Sequence, residues 1–143
     1  MERYDKLGIP YFNPQVDDWK PELAAAEAWH LANDPLVLFP VTRETYGTGS
    51  LAETGFSALH AMNVNRRCAF IMMIDKDLDP ALDDPVARKE SLRSRALVSA
   101  HLGRQTIAGL YVVASLDDML DLSLVLHQIL VLRGEAERFR RPV

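Results

Sequence analysis

The chain has 143 residues, of which 48% are hydrophobic and 25% charged, and its formal net charge is −4. These values are typical of ordinary globular proteins, and the length fits one domain with a real core rather than two. The acidic balance excludes the basic footprint of a nucleic-acid-binding protein and the polybasic stretch of a protein that binds anionic membranes.

The single cysteine and the N-terminal residues predict a cytoplasmic protein. Cys68 cannot form an internal disulfide, and its place in an apolar strand predicts a buried thiol, which fits a reducing compartment. Residues 1–5 lack the apolar core of a signal peptide, and no apolar run approaches the length of a membrane span.

Helices and strands are predicted to alternate along the chain, beginning with the end of a helix over residues 1–7 that Gly8 stops. Residues 9–12 predict a short strand, which Asn13-Pro14 breaks as a turn. A second strand is predicted over 35–41, because this run is nearly all apolar, as expected of a strand covered on both faces.

The helix between these two strands is predicted to end near Asn33. Asp17 and Asp18 are placed to cap its start, and Pro21 is tolerated in its first turn.

The second half of the chain predicts two more strands, over 68–74 and 109–114. The helix over 85–102 is predicted to expose its polar side, which carries Arg88, Lys89, Glu90, Arg93 and Arg95. The helix over 116–132 is apolar almost all round, so its outer side is predicted to be covered by a second subunit. The four strands and their helices predict an α/β fold, a three-layer sandwich with a mainly parallel sheet.

The loop that follows the strand over 35–41 contains the candidate site, with Gly47, Gly49, Ser50 and Glu53 where the loop enters a helix. In parallel sheets, ligands bind beyond the carboxyl ends of the strands. Glu53 is therefore the candidate for chemistry, in the first turn of that helix. Ser50 and Glu53 also have the S-x-x-E spacing of a capping box, in which the same carboxylate would bond to the backbone. Both interpretations stay open.

These motifs together resemble a known family. The segment 9–19, IPYFNPQVDDW, is followed by Glu27 and His30, and then by Gly47 and the tetrad SLAE over 50–53. In this combination the first half of the chain resembles the nucleoside 2-deoxyribosyltransferase-like proteins. The pairing of F-N-P…D-D-W with S-L-A-E is fairly specific.

The resemblance implies a flavodoxin-like fold and oligomers with active sites near subunit interfaces. It also implies a glutamate nucleophile that attacks the anomeric carbon of a deoxynucleoside, and Glu53 matches that position. The other residues that the resemblance places at the site are Asp17 or Asp18, acting on the base or sugar, Asn13, orienting a polar ligand group, and Trp19, Gly47, Gly49 and Ser50, contacting the substrate. From the residues alone, the aspartates fit a helix cap equally well, and Asn13 fits a turn.

Two departures from the family pattern motivate an alternative function. The family's enzymes carry an aspartate six residues before the nucleophile, where this chain has Gly47. Their first strand, which forms part of the pocket, is expected to be missing here. The alternative is a non-catalytic nucleotide-binding or structural oligomeric protein of the same fold.

The predicted partner is a small-molecule nucleoside or nucleotide, with no metal and no other cofactor. The four histidines are scattered over several helices without the spacing of metal ligands. Residues 47–50 precede a helix and can cradle a phosphate through backbone N–H groups, but they lack the lysine of a P-loop. Nucleoside monophosphates therefore fit this loop better than triphosphates.

Overall fold

The computed structural model of the protein describes residues 2–15, 18, 20–64 and 69–140, with the backbone alone at Phe56, residues 59–62 and Val64. Asp17, Trp19 and Cys68, and the predictions made for them, lie outside the described residues. The described part contains the helices α1 (Glu2–Leu7), α2 (Pro21–Asn33), α3 (Thr48–Val64), α4 (Pro85–Leu102) and α5 (Leu116–Glu137), and the strands β1 (Leu36–Val41), β2 (Ala69–Ile74) and β3 (Leu110–Val113).

The three described strands form one parallel sheet in the order β1-β2-β3. Leu36 of β1 lies opposite Ala69 of β2, and Phe70 of β2 lies opposite Leu110 of β3. Each strand is joined to the next by a crossover helix, as parallel pairing requires. The central strand β2 carries the sequence AFIMMI, whose four middle side chains are fully buried.

Successive residues of β2 face opposite sides of the sheet. Phe70 and Met72 pack on one side against α3 and α4, while Ile71 and Met73 pack on the other against Met119 of α5. The layers are therefore helix, sheet, helix. The predicted α/β three-layer sandwich with a parallel sheet is confirmed, and it is consistent with a flavodoxin-like arrangement.

The predicted end of the first helix is confirmed, whereas the strand over 9–12 is wrong. Gly8 has φ +65°, and the N–H groups of Gly8 and Ile9 bond to the carbonyls of Asp5 and Tyr4, as in a Schellman motif. The following residues join no sheet. Their aromatic rings contact helices instead: the Tyr11 ring lies 5.9 Å from that of Tyr4, and Phe12 stacks on His30 at 3.9 Å.

The helix α2 begins without an aspartate cap. Its N-cap is Lys20, which makes no side-chain capping bond, and Pro21 occupies the first turn as predicted. Asp18 is exposed and pairs with Lys20 at 3.4 Å, so the capping role predicted for it is wrong. Fixed φ at the proline helps the helix to start here without a side-chain acceptor.

The last helix, α5, extends to Glu137, five residues beyond the predicted end. Met119 and Ser123 are buried against the rest of the protein, but Val125, Val131 and Leu132 are exposed. The outer side that the sequence predicts to be covered is open to solvent in the single chain. None of the helices in the described ranges has the length and apolarity needed to cross a membrane.

Candidate functional site

An open depression of about 510 Å³ lies beyond the carboxyl end of β1. It is lined by residues 44–47 of the connection between β1 and α3, by residues 48–50 in the first turn of α3, and by Leu82 from the connection between β2 and α4. This is the edge of a parallel sheet at which ligands bind in α/β proteins. The structure therefore places Gly47, Gly49 and Ser50 together at one surface, as the sequence predicts.

Gly47 makes the turn from the loop into α3. Its φ is +62°, and a Cβ at this position would lie 2.7 Å from Cγ1 of Val41, closer than real Cβ atoms approach. The N–H of Gly47 donates to Oγ1 of Thr45 at 2.7 Å, and its carbonyl accepts from the N–H of Leu51 at 2.8 Å. Only glycine fits both the backbone conformation and the space.

The predicted capping box is wrong, because α3 begins three residues earlier than that motif requires. Thr48 is the first helical residue, so Ser50 already lies inside the helix, and its carbonyl accepts from Oγ1 of Thr54 at 2.7 Å. The first turn contains no acidic residue, so Glu53 lies in the second turn rather than the first.

Glu53 is exposed and is not among the residues that line the depression. It follows Gly49 and Ser50, which do line it, by four and three residues, so the three share one face of α3. Side chains on a helix tilt toward its N-terminus. The Cα–Cβ bond of Glu53 therefore leans toward the first turn of α3, although its side chain does not line the depression.

Two further predicted site residues that the structure describes, Asn13 and Asp18, are not brought to the depression. Asn13 is exposed, and its Oδ1 accepts from the N–H of Gln15 at 3.2 Å, which is the turn-forming role that its sequence context allows. Asp18 is exposed and paired with Lys20. Neither residue lines the depression.

Beneath the loop lies Arg95 of α4, which is fully buried. Its five N–H groups all have acceptors: the Ser91 hydroxyl at 3.2 Å, the carbonyls of Val41 and Asp75 at 3.1 and 2.8 Å, and those of Thr42 and Thr45 at 2.9 and 2.7 Å. A single guanidinium thus joins the ends of β1 and β2 to the loop that lines the depression.

The burial of Arg95 corrects the prediction that the polar side of this helix is exposed. Loss of hydration lowers the pKa of the Arg95 guanidinium, and the nearby carboxylates of Asp75 and Glu44 oppose that shift. Ser91 is also buried, and its hydroxyl donates to the carbonyl of Tyr46 at 2.7 Å. One side of α4 therefore supports the site loop through polar contacts.

Glu44 is a site residue that the sequence analysis missed. It lines the depression, is exposed, and has a pKa below its ordinary value because the Thr42 side chain and its own backbone hydrogen-bond to the carboxylate. Tyr46 also lines the depression, and its hydroxyl accepts from the N–H of Asp84 at 3.1 Å. The sequence signal that could have identified Glu44 and Tyr46 is their position shortly after the apolar strand β1.

No group of three or more histidine, cysteine, aspartate or glutamate side chains with metal-binding geometry occurs in the described part of the chain. Comparison with family models, with curated proteins and with solved structures finds no match to this chain.

Proposed function

We propose that the protein binds a nucleoside or nucleotide in the depression lined by residues 44–50 and cleaves its N-glycosidic bond. One observation carries this proposal: the open depression lies at the carboxyl end of a parallel strand, and Glu53 follows Gly49 and Ser50 by one turn of α3. The sequence resemblance to nucleoside 2-deoxyribosyltransferase-like proteins supplies the ligand class.

In this proposal Glu53 is the nucleophile. Its carboxylate attacks the anomeric carbon and forms a glycosyl ester, while the departing base keeps the electrons of the broken C–N bond and takes a proton from water in the open depression. A second base or water then displaces Glu53 from the sugar. Glu44 does not protonate the base, because its lowered pKa keeps it ionised. Its charge is better suited to stabilising the positive sugar in the transition state.

A second candidate is a non-catalytic nucleotide-binding or structural protein. It is favoured by the position of Glu53 outside the lining of the depression and by the absence of Asn13 and Asp18 from that lining. In this case the loop binds the ligand through its backbone and hydroxyl groups, and no bond is broken.

Chromatographic detection of free base tests the proposal. The purified protein is incubated with deoxynucleosides and deoxynucleoside monophosphates, alongside Glu53→Gln and the control Glu90→Gln, which changes an exposed glutamate on α4. We expect base release by the wild type and by Glu90→Gln, and its loss in Glu53→Gln. Release that persists in Glu53→Gln would contradict the assigned nucleophile.

A titration of the ¹⁵N-labelled protein with the same compounds separates the two candidates. Shifts of the amide resonances of residues 44–50 without any base release would support the non-catalytic protein. Unchanged resonances with every compound, together with no base release, would contradict both catalysis and nucleotide binding and would leave only the structural protein.

A further inference from the structure

The outer side of α5 carries an apolar stripe that the rest of the chain leaves open. Val125, Ile129, Leu132, Ala136 and Phe139, here called the seam, are spaced by four, three, four and three residues. Their exposed fractions are 52% for Val125, 38% for Ile129, 63% for Leu132 and 88% for Phe139, and Ala136 is also exposed. This spacing is the a and d pattern of a coiled-coil helix.

The seam follows the helix past the body of the protein. α5 has 22 residues and is therefore about 33 Å long, and every residue from 131 to 140 is exposed. After Glu137 the chain continues for another turn, in which the N–H of Phe139 donates to the carbonyl of Ala136 at 3.1 Å. Phe139 thus stays on the line of the seam.

We propose that the seam pairs with the same seam of a second copy of this chain, in a parallel two-helix interface. A symmetric dimer needs a surface that is complementary to itself. Apolar a and d positions meet this requirement, because identical helices place equivalent side chains in successive layers along a shared axis. This proposal is independent of the proposed function.

Charges beside the seam favour a second copy and the parallel direction. In heptad terms Arg133 is an e position and Glu135 a g position of α5. Arg140 continues the line of e positions in the turn after Glu137, and in the single chain it forms an exposed ion pair with Glu137 at 3.3 Å. Parallel pairing sets each g position beside the e position five residues later in the partner, so Glu135 of each copy meets Arg140 of the other. Antiparallel pairing sets e beside e, which would bring arginines together. A different partner that carried charges of only one sign would be complementary to either the arginines or the glutamate beside the seam, but not to both.

The area is sufficient for a weak to moderate dimer. The larger seam side chains expose roughly 400 Å² on each copy, a size at which an apolar patch on a single chain is often functional. Two seams with their flanking polar side chains approach the lower end of the roughly 1,200–2,000 Å² that specific interfaces bury. The interface is therefore expected to dissociate on dilution.

Analytical ultracentrifugation between about 1 and 100 µM tests the pairing. We expect the wild type to reach twice the 16.1 kDa of one chain. Leu132→Glu and Phe139→Glu change exposed positions and so leave the fold intact, as circular dichroism would check. Each substitution should raise the dissociation constant of the dimer by at least about 30-fold, because a charged side chain in the seam would lose its hydration when the helices pair. The control Leu97→Glu changes a residue of α4 that is 51% exposed and should leave the dimer unchanged.

Disulfide crosslinking tests the direction. Leu132→Cys in a Cys68→Ser background, which removes the native cysteine, should form a crosslinked dimer on oxidation, because parallel pairing brings the two copies of position 132 together. The proposed interface would be refuted if the wild type stays monomeric across the concentration range. It would also be refuted if the seam variants dimerise as well as Leu97→Glu does. A dimer that does not crosslink would overturn the parallel pairing.

Discussion

Replacing Arg95 by methionine should destabilise the protein far more than the same change at an exposed arginine. Methionine keeps an unbranched apolar stem, but it is shorter than arginine and removes five hydrogen-bond donors. The carbonyls of Val41, Thr42, Thr45 and Asp75 would then lose their Arg95 donor. A buried acceptor left without a partner costs about 1–3 kcal/mol.

The full sum of these costs is not expected, for two reasons. Three of the four carbonyl contacts are only partly buried, so water can replace the lost donor. Removing the guanidinium also relieves the cost of burying a charge whose acceptors are all neutral. The net loss of unfolding free energy should be about 3–4 kcal/mol.

Urea unfolding followed by circular dichroism measures this loss. The matched control is Arg93→Met on the same helix, where an exposed arginine pairs weakly with Glu90 at 3.9 Å. Its effect should stay within about 0.5 kcal/mol. The reasoning would be refuted if Arg95→Met cost no more than Arg93→Met with an unchanged dependence on urea.

Two further predictions concern the site loop. Gly47→Ala should lower the unfolding free energy by about 2–4 kcal/mol, because alanine is strained at positive φ and its Cβ would meet Val41. Gly49→Ala should raise the unfolding free energy by about 0.5 kcal/mol, because Gly49 is helical and has open space around it. Urea unfolding of both variants would check this contrast, and equal effects would contradict it. Thr42→Val should raise the pKa of Glu44 toward its ordinary value, because the Thr42 hydrogen bond is the main cause of its depression. An NMR pH titration measures the shift, and an unchanged Glu44 titration would contradict that cause.

The buried strands and their connecting helices could be predicted because their signals are local. The apolar run of β2 is buried on both faces of the sheet, which is the condition that such runs indicate, whereas β1, at the edge of the sheet, is only partly buried. The strand predicted over 9–12 failed because a strand also needs a neighbour. Tyr11 and Phe12 find aromatic partners on helices instead, and no residue spacing within 9–12 reveals that choice.

The loop that lines the depression could be located from the sequence, but its detailed structure could not. The glycines and Ser50 marked the loop, yet the start of α3 at Thr48 depends on the turn at Gly47, whose loop is held by Arg95 from a later helix. Fifty residues separate Thr45 from Arg95. In the local sequence pattern Arg95 is one of several polar residues of its helix, so its burial could not be predicted. The position of Glu53 in the second turn depends on the same contacts and could not be predicted either.

The contact between α1 and α5 sets an order of events during synthesis. The hydroxyls of Tyr4 and Ser123 hydrogen-bond in a buried position, although 119 residues separate them in sequence. At translation rates of about 5–20 residues per second, roughly 6–24 s pass between the synthesis of the two residues. Until then Tyr4 has no partner in α5, while β1 and β2 can already pair. The first helix of the chain is therefore expected to dock among the last elements to do so.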